Sequence, residues 1–378
     1  MHVLILPSEY PTSDHKLGGI FTFEQEQYLK KKNKLGVIYV YLFSLKKIFS
    51  SLFFKILSSE NKTKRKFVFY FPRIPYFKLI NYYLHYLFFL ISFKEYIKKY
   101  GKPDLIHVHF SEFSILTAYK IKQEYKIPYI LTEHSTDFLD GKYQKNYKKN
   151  SYIYKKIKIA LINAKKIICV SSILKKTIKN YFKIREEKLV VIPNLSLNID
   201  YKSKKKTNDL IFVGSLDKRK NPMLLLKVFE KIYLKKLRMI IIGEGELRKE
   251  INDYILEKKL NKFVKILSNI KRNNVLKMIG DSKILVLPSS YETFGVVVIE
   301  AYSMGVPVVM TDSLGVRDLN NNNCCIMLKR NNIKDLAKAI YRILNNYKKF
   351  KHKKIVDFYN KNYSPAVVIN KIETLYKS

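Results

Sequence analysis

The chain has 378 residues, enough for two domains that each bury a core of their own. It contains three cysteines, which lack metal-ligand spacing and argue against a disulfide framework. The net charge of +41 is spread along the chain without a recognition helix, a zinc-finger spacing or an RNA-binding signature. Lys, Asn, Ile and Tyr are all abundant and all use A/T-rich codons, so genome composition explains much of the excess of lysine. Nucleic acid therefore ranks last among the partners considered.

Short apolar runs alternate with amphipathic stretches, which is the pattern of an α/β protein. Most runs are rich in Val, Ile and Leu without strict alternation, as in strands covered by helices on both faces. The sequence therefore predicts two doubly wound, Rossmann-like parallel sheets. Predicted strands fall at 2–7, 35–42, 66–71, 104–110, 128–133, 166–170 and 189–192, then at 209–213, 238–242, 264–267, 284–287, 307–310 and 325–328.

The first strand starts near the N-terminus, which lacks a charged lead and a small-residue cleavage site. We read this start as a strand and expect a cytoplasmic protein. The next motif contains Gly18 and Gly19, where a chain without Cβ atoms could approach a phosphate or sugar. By itself a Gly-Gly pair is more often an ordinary turn.

Two segments of the first half, 41–54 and 82–93, mix aromatic and aliphatic residues with flanking lysines. Either could lie on an anionic membrane surface, and either could equally be an ordinary core helix. The longest uncharged run, 79–93, is shorter than the roughly 20 apolar residues of a spanning helix. We therefore expect no transmembrane segment and a peripheral association at most.

His134 follows the predicted strand 128–133, and ligands of open α/β sheets bind at the carboxyl ends of the strands. His107 and His109 alternate within the strand before it, with no third ligand at a zinc-like spacing. We expect these two to be packing residues. A polar, lysine-rich stretch at 193–206 then predicts the linker between the two domains.

The run 288–309 is the most informative part of the chain, because Glu292 and Glu300 stand alone in apolar sequence. A helix that opens at Gly295 would present free backbone N–H groups to an anion and place Glu300 one turn deeper, where it could accept hydrogen bonds from hydroxyls. The pattern predicts a ligand with a phosphate at one end and a sugar at the other.

The spacing of Glu292 and Glu300, followed by a Gly-Val-Pro strand, resembles the retaining glycosyltransferases of family 4, which have the GT-B fold with two domains facing a central cleft. The resemblance covers nearly the whole chain and implies a donor site that uses no metal. It implies catalytic roles near the donor for His134, Lys220 and Glu292. It implies donor-binding roles for Gly19, Gly245, Ile270, Phe294, Gly295, Val296 and Glu300.

The resemblance also sets the domain limits, with an acceptor-side domain at 1–200, a nucleotide-sugar domain at 201–361 and a final helix at 362–378 that returns to the first domain. The chain departs from the family pattern at Ser215, where an Arg usually pairs with the Lys at Lys220 to hold the diphosphate. Lys218 and Arg219 are candidates for that second charge. Gly315 to Asp318 replaces the usual Gly-Gly and Glu.

The resemblance thus predicts a hexosyltransferase that uses a UDP- or GDP-type donor, without a cofactor, and a lipid-linked or glycan acceptor in surface polysaccharide or glycolipid assembly. Two alternatives remain open. One is a catalytically silent partner of another transferase at a membrane surface, which would have been favoured by loss of Glu292 or Lys220. The other is a nucleotide-sugar epimerase of the same fold.

Overall fold

The computed structural model describes the whole chain except residues 12–17, 45–56, 62–63, 74–77, 112, 147, 150, 198, 200, 202–204 and 233–236, and it gives backbone alone for the rest of 41–79. The chain divides into two compact units. The first comprises residues 1–193 with Ile369–Ser378, and the second comprises Asn194–Val368.

The first unit contains an eight-stranded sheet with the order β3-β4-β2-β1-β5-β6-β7-β8. Its strands are β1 (His2–Pro7), β2 (Lys34–Ser44), β3 (Leu57–Asn61), β4 (Lys64–Arg73), β5 (Leu105–His109), β6 (Tyr129–Glu133), β7 (Ile167–Cys169) and β8 (Leu189–Val191). Its helices are α1 (Ile20–Leu29), α2 (Lys78–Tyr100), α3 (Phe113–Tyr125), α4 (Lys142–Asn146), α5 (Tyr152–Asn163) and α6 (Ser172–Phe182).

The second unit contains a six-stranded sheet with the order β11-β10-β9-β12-β13-β14, in which every described pairing is parallel. Its strands are β9 (Asn208–Val213), β10 (Met239–Ile242), β11 (Val264–Leu267), β12 (Ser282–Leu287), β13 (Val308–Thr311) and β14 (Cys325–Leu328). Its helices are α7 (Pro222–Ile232), α8 (Arg248–Glu257), α9 (Arg272–Gly280), α10 (Val296–Ser303), α11 (Ile333–Asn345) and α12 (His352–Asn362), before the terminal helix α13 (Pro365–Lys377).

The prediction of two doubly wound α/β sheets is confirmed, and each of the thirteen predicted strands overlaps a strand of the structure. One strand was not predicted. Strand β3 has the sequence Leu-Ser-Ser-Glu-Asn, which carries no run of β-branched or aromatic residues, and it pairs antiparallel with β4. An antiparallel edge strand on a parallel sheet is common in doubly wound folds.

The last ten residues group with the first unit, where the C-terminal part of α13 is held by specific contacts. The carboxylate of Glu373 accepts hydrogen bonds from the side chains of Lys32 and Asn33 at 3.3 and 3.2 Å. The buried ring of Tyr376 brings its hydroxyl 2.7 Å from Nδ1 of His107. These contacts tie the end of the chain to β5 and to the turn before β2.

Candidate active site

The loop between β12 and α10 is the centre of the site in the second unit. Gly295 caps the N-terminus of α10 with a φ of 83°, and a Cβ there would lie 2.9 Å from Cγ1 of Val316. Both facts require glycine at this position. The helix begins at Val296, so the expectation that Gly295 opens it is confirmed. The helix is anchored by Val297, Val298 and Ile299, all buried, which fixes the direction of its first-turn N–H groups.

Glu292 lies just before this helix and forms an ion pair with Lys220. The Nζ of Lys220 is 2.5 Å from Oε1 of Glu292, and the two side chains are only 14% and 6% exposed. Lys220 comes from the loop after β9, so the end of one strand supplies the cation and the end of the neighbouring strand supplies the acid. The structure thus brings together two of the residues predicted to act on the donor.

The loop after β9 is organised around the carboxylate of Asp217. Its Oδ1 accepts from the backbone N–H of Lys220 at 2.8 Å, and its Oδ2 accepts from the hydroxyl of Ser215 at 2.7 Å. These hydrogen bonds lower the pKa of Asp217 against the opposing effect of its burial. Asp217 therefore stays charged and holds the loop that carries the cations.

Arg219 occupies the region beside Ser215, the position where the family pattern has an arginine. A guanidinium nitrogen of Arg219 lies 3.5 Å from the hydroxyl of Ser215 and another lies 3.4 Å from the carbonyl oxygen of Tyr291. Its backbone carbonyl accepts from the N–H of Ser290 at 2.8 Å, which joins the two loops. Lys218, by contrast, is exposed. Sequence reasoning left these two cations as equal candidates, and the geometry separates them.

Glu300 is 1% exposed and forms an ion pair with Arg272, the first residue of α9. Sequence reasoning missed Arg272, because it comes from a different strand-to-helix connection and no spacing links it to Glu300. Ile270 is half-buried in the same connection, two residues before Arg272. The predicted residues Glu300 and Ile270 therefore lie in neighbouring parts of one site.

Buried hydroxyls without an internal partner surround the Glu292 loop. The side-chain oxygens of Ser289, Thr293 and Ser313 are inaccessible and have no hydrogen-bond partner among the described residues. Glu292 donates its backbone N–H to the carbonyl of Ser313 at 3.2 Å, so these residues belong to one loop pair. Buried polar groups are nearly always satisfied by protein, water or ligand, and three such hydroxyls in one place indicate a polar ligand or ordered water.

The residue types at two predicted donor contacts, Gly245 and Phe294, are also explained by packing within the second unit. A Cβ at Gly245 would lie 2.4 Å from the carbonyl oxygen of Leu216, so close packing of the two loops already requires glycine there. The side chain of Phe294 is 2% exposed and its ring lies 6.2 Å from that of Tyr363. Phe294 can therefore contribute to a ligand only through its backbone.

The first unit has its own cluster around His134, at the end of β6. His134 is 8% exposed, and its Nε2 lies 3.0 Å from Nδ1 of His109. Its ring stacks on that of His109 and lies 4.5 Å from that of Phe21. Because Phe21 is in the first turn of α1, the cluster joins the histidine motif to the glycine motif.

Gly19 precedes α1 with a φ of 58°, and a Cβ there would lie 2.1 Å from the carbonyl oxygen of Glu9. Only glycine fits this turn. The backbone conformation therefore explains why residue 19 is glycine, and the predicted contact of Gly19 with the donor stays a prediction.

Glu133 is the residue of this cluster that the sequence did not reveal. It is 0% exposed, and its carboxylate accepts from the backbone N–H groups of Ser111, His134 and Ser135 at 2.8 to 2.9 Å. Burial raises the pKa of Glu133, and these hydrogen bonds oppose the rise. Its carboxylate positions the loop that carries His134.

His107 has the packing role expected of it. It is 0% exposed, its Nε2 lies 2.7 Å from the hydroxyl of Thr132, and burial lowers its pKa to about 3. His109 is also buried with a pKa well below its ordinary value, and it supports His134 directly. Among the described residues, no group of three or more His, Cys, Asp or Glu side chains is arranged to hold a metal ion.

Two family models match the chain and together cover most of it. The model described as "Glycosyl transferases group 1" matches residues 197–358, and the model described as "Glycosyltransferase Family 4" matches residues 54–195. Their boundary falls within the lysine-rich stretch at 193–206.

The chain is similar to proteins that are named as glycosyltransferases. An uncharacterized glycosyltransferase of Methanocaldococcus jannaschii is 28% identical over 318 residues, or 82% of this chain and 86% of the relative. The Escherichia coli UDP-Gal:alpha-D-GlcNAc-diphosphoundecaprenol alpha-1,3-galactosyltransferase is 27% identical over 322 residues, which are 76% of this chain and 78% of the relative. The crystal structure of the Anabaena protein HepE with UDP and glucose matches with a TM-score of 0.74 at 15% identity, over 100% of this chain and 99% of that one.

Proposed function

Because the chain belongs to the group 1 and family 4 glycosyltransferases and has their GT-B fold, we propose that it moves a hexose-type sugar from a nucleoside diphosphate sugar to an acceptor hydroxyl with retention of the anomeric configuration. The observation that carries the proposal is the buried ion pair of Lys220 and Glu292 beside the N-terminus of α10. It places a cation, an acid and free amide groups within one small region.

The diphosphate is the part of the donor that fits the N-terminus of α10. Its charge would be offset by the first-turn amides, by Lys220 and by Arg219, which together can do so without a metal ion. An ammonium has three N–H donors, so Lys220 can bind phosphate oxygens while it keeps its contact with Glu292. Arg219 supplies the second cation that Ser215 cannot.

The sugar hydroxyls and the ribose are assigned to the two acids. The family resemblance assigns Glu292 to the donor sugar and Glu300 to the ribose, and the structure supports a hydroxyl-binding role for both, because a carboxylate accepts from hydroxyls and each acid is buried with one cation as partner. We keep Gly19 and His134 as donor contacts, and Gly245, Ile270 and the backbone of Phe294 to Val296 as nucleotide contacts. These assignments come from the family resemblance.

The proposed reaction breaks the bond between the anomeric carbon and the phosphate oxygen, and the electron pair stays on that oxygen. The acceptor oxygen bonds to the anomeric carbon on the same face, and its proton passes to the leaving phosphate. Lys220 and Arg219 stabilise the charge that develops on the phosphate. Glu292 orients the sugar and is not consumed.

The proposed setting is surface polysaccharide or glycolipid assembly on the cytoplasmic side of a membrane. The Escherichia coli relative carries a diphosphoundecaprenol acceptor and a UDP sugar in its name, and HepE was crystallised with UDP. These similarities support a lipid-linked acceptor and favour a UDP sugar over a GDP sugar. In the described parts of the chain, no helix is both long and apolar enough to cross a bilayer.

The test is a melting series with UDP, GDP and ADP sugars, followed by a transfer assay with the donor that stabilises the protein. We expect stabilisation by UDP sugars and release of free UDP once a lipid-linked glycan acceptor is added. The matched variants are Glu292→Gln, which should bind donor and transfer slowly, and Lys218→Ala, which should behave as the parent. Stabilisation by none of the nucleotide sugars would overturn the proposal.

A further inference from the structure

Helix α2 buries one face and exposes a row of large apolar side chains on the other. Phe89 and Phe93 on the buried face are 0% exposed. Successive members of the row lie three or four residues apart, so they form one stripe over three turns. Between 44% and 50% of each of these side chains is exposed: Ile80, Tyr83, Leu87 and Ile91.

Helix α5 carries a second group of exposed apolar side chains. Tyr152, Ile159 and Ile162 are 56%, 46% and 43% exposed and share one side of the helix. The Nζ of Lys156 lies 5.8 Å from the ring centre of Tyr83 and 4.7 Å from that of Tyr152, which joins the two helices at one end. We call the exposed apolar residues of α2 and α5 the α2–α5 face.

The concentration of apolar side chains on this face is specific to it. Of the ten large apolar side chains that are exposed among the described residues, seven belong to the α2–α5 face. Single exposed apolar residues are ordinary on protein surfaces, but the row on α2 is a contiguous group, and such a group marks an interaction site. The face lies in the first unit alone and is built from two helices of its fold.

Lysines border the face and continue its periodicity. Lys94 and Lys98 follow Ile91 on the same side of α2 and are exposed, and Lys155 is exposed between the apolar residues of α5. The described acids nearby are Glu95, which is exposed on α2, and Glu124, which accepts from the hydroxyl of Tyr86 at 2.7 Å. Positive charge therefore predominates around the apolar residues.

We propose that the α2–α5 face docks on the surface of an anionic lipid bilayer. Aromatic and aliphatic residues beside exposed lysines are the composition of an interfacial helix, with the apolar side chains among the acyl chains and the lysines at the head groups. Protein interfaces are depleted of lysine, which makes a protein partner the weaker match. The inference deepens the proposed function, since a lipid-linked acceptor is presented at such a surface, but the vesicle-binding test needs neither donor nor acceptor.

Of the two segments that the sequence indicates as possible membrane-surface segments, 82–93 lies in α2 and carries this proposal. The other segment, 41–54, lies outside the residues whose side chains are described. The sequence left a core helix and an interfacial helix as alternatives for this segment, and the burial of α2 is compatible with both. One face of α2 is core and the opposite face is solvent-exposed, so both descriptions apply to the same helix.

The test is co-sedimentation of the full chain with vesicles of phosphatidylcholine alone or of phosphatidylcholine mixed with phosphatidylglycerol. We expect binding to the anionic vesicles and little to the neutral ones. Leu87→Asp should lower the partition coefficient about tenfold or more. Lys94→Glu and Lys98→Glu should each lower it about fivefold or more.

Helix α8 offers matched controls, because it has an exposed leucine, Leu256, and an exposed lysine, Lys249, in the second unit. Leu256→Asp and Lys249→Glu should leave vesicle binding unchanged. Equal binding by parent and α2 variants, equal losses in α2 and α8 variants, or no binding by the parent would each overturn the proposal. So would a dimer that Leu87→Asp dissociates, since a second copy would then cover the face.

UDP-induced stabilisation, measured on the same variants, separates this proposal from the proposed function. The α2 variants should keep the full melting shift with UDP. If an α2 variant loses vesicle binding and keeps the melting shift, the result bears only on the α2–α5 face. If the parent shows no melting shift with UDP, the result bears only on the nucleotide site.

Discussion

Arg272 and Glu300 form an ion pair in which the acid is 1% exposed and the arginine begins the neighbouring helix. The arginine gives this buried carboxylate a cationic partner, and hydrogen bonds from hydroxyl groups to a carboxylate are charge-assisted. The proposed recognition of ribose by Glu300 therefore predicts a difference in affinity between nucleotides with and without the contacted hydroxyl.

We predict that the parent protein binds UDP at least about tenfold more tightly than a deoxyribose analogue that lacks the contacted hydroxyl, since a hydrogen bond to a charged group contributes about 1.5–3 kcal/mol. In Glu300→Gln the two nucleotides should bind with nearly equal affinity. Titration calorimetry with UDP, 2′-deoxy-UDP and 3′-deoxy-UDP measures this. A preference for ribose that survives in Glu300→Gln would contradict the assignment.

Lys220→Met should lower both stability and turnover, because it removes a phosphate cation and leaves Glu292 buried without its partner. Loss of one member of a buried ion pair costs about 3 kcal/mol. The double variant Lys220→Met with Glu292→Gln should regain most of that stability and none of the activity. Urea unfolding and UDP release by all three variants complete the cycle.

Arg219→Ala should weaken binding of UDP and leave binding of uridine unchanged, because the guanidinium is assigned to the diphosphate. The loop offers its own control in Lys218, which is exposed and is expected to tolerate the same change. Calorimetry with UDP and uridine on both variants distinguishes the two cations. Equal losses for UDP and uridine would indicate that Arg219 acts only through the shape of the loop.

A chelator should leave the donor-induced melting shift unchanged, since the proposed site offsets the diphosphate charge with protein groups. Nucleotide at about 100 times its dissociation constant stabilises a protein by about 2.7 kcal/mol, which a melting curve resolves easily. The comparison is made with EDTA, with magnesium and with manganese. A shift that appears only with a metal would remove the metal-independent mechanism.

Acid should destabilise the protein through its buried histidines. Burial lowers the pKa of His85 to about 4 and that of His107 to about 3, so both are neutral in the folded state. Below pH 6.5, about the ordinary pKa of histidine, these side chains are protonated in the unfolded chain and neutral in the folded chain. Stability therefore falls with falling pH until the folded-state pKa is reached. Glu133, with its raised pKa, opposes this trend.

The free energy of unfolding should therefore be nearly constant between about pH 7 and 8 and fall between about pH 6.5 and 4. His85→Phe should reduce the slope by the equivalent of one proton, about 1.4 kcal/mol per pH unit. The measurement is urea unfolding across this range, with the slope as the readout, so that a constant loss of stability in the variant does not affect it. An unchanged slope would show that His85 does not titrate as its burial requires.

The strands and the main loops could be predicted from sequence because their signals are local. The Gly295 turn is one example, since a glycine between an apolar strand and an apolar helix indicates both where α10 begins and which amides are free. Glu292 and Glu300 stood out because no other charge interrupts the run between them. Strand β3 could not be predicted in this way, because its polar residues are held by pairing with β4 and not by their own propensity.

The partners of the predicted residues depend on tertiary structure, and no spacing reveals them. Arg272 reaches Glu300 from another strand-to-helix connection, and Glu133 supports His134 through three backbone amides. Arg219 and Lys218 are adjacent and equally basic in sequence, and only the direction of the loop distinguishes them. A sequence therefore indicates which side chains can bind or react more readily than it indicates which tertiary contacts hold them in place.

Under the proposed function, the contact of Lys220 with Glu292 would also affect the release of the nucleotide product. While the sugar is attached, its hydroxyls can satisfy Glu292 and leave the ammonium available to the phosphates. Once the sugar has departed, Glu292 would accept from more of the three N–H donors of Lys220, which would weaken the contact of the ammonium with the phosphates of the remaining nucleotide. The same two side chains would thus favour the intact donor over the product and set an affinity ratio between UDP-sugar and UDP that Glu292→Gln should reduce.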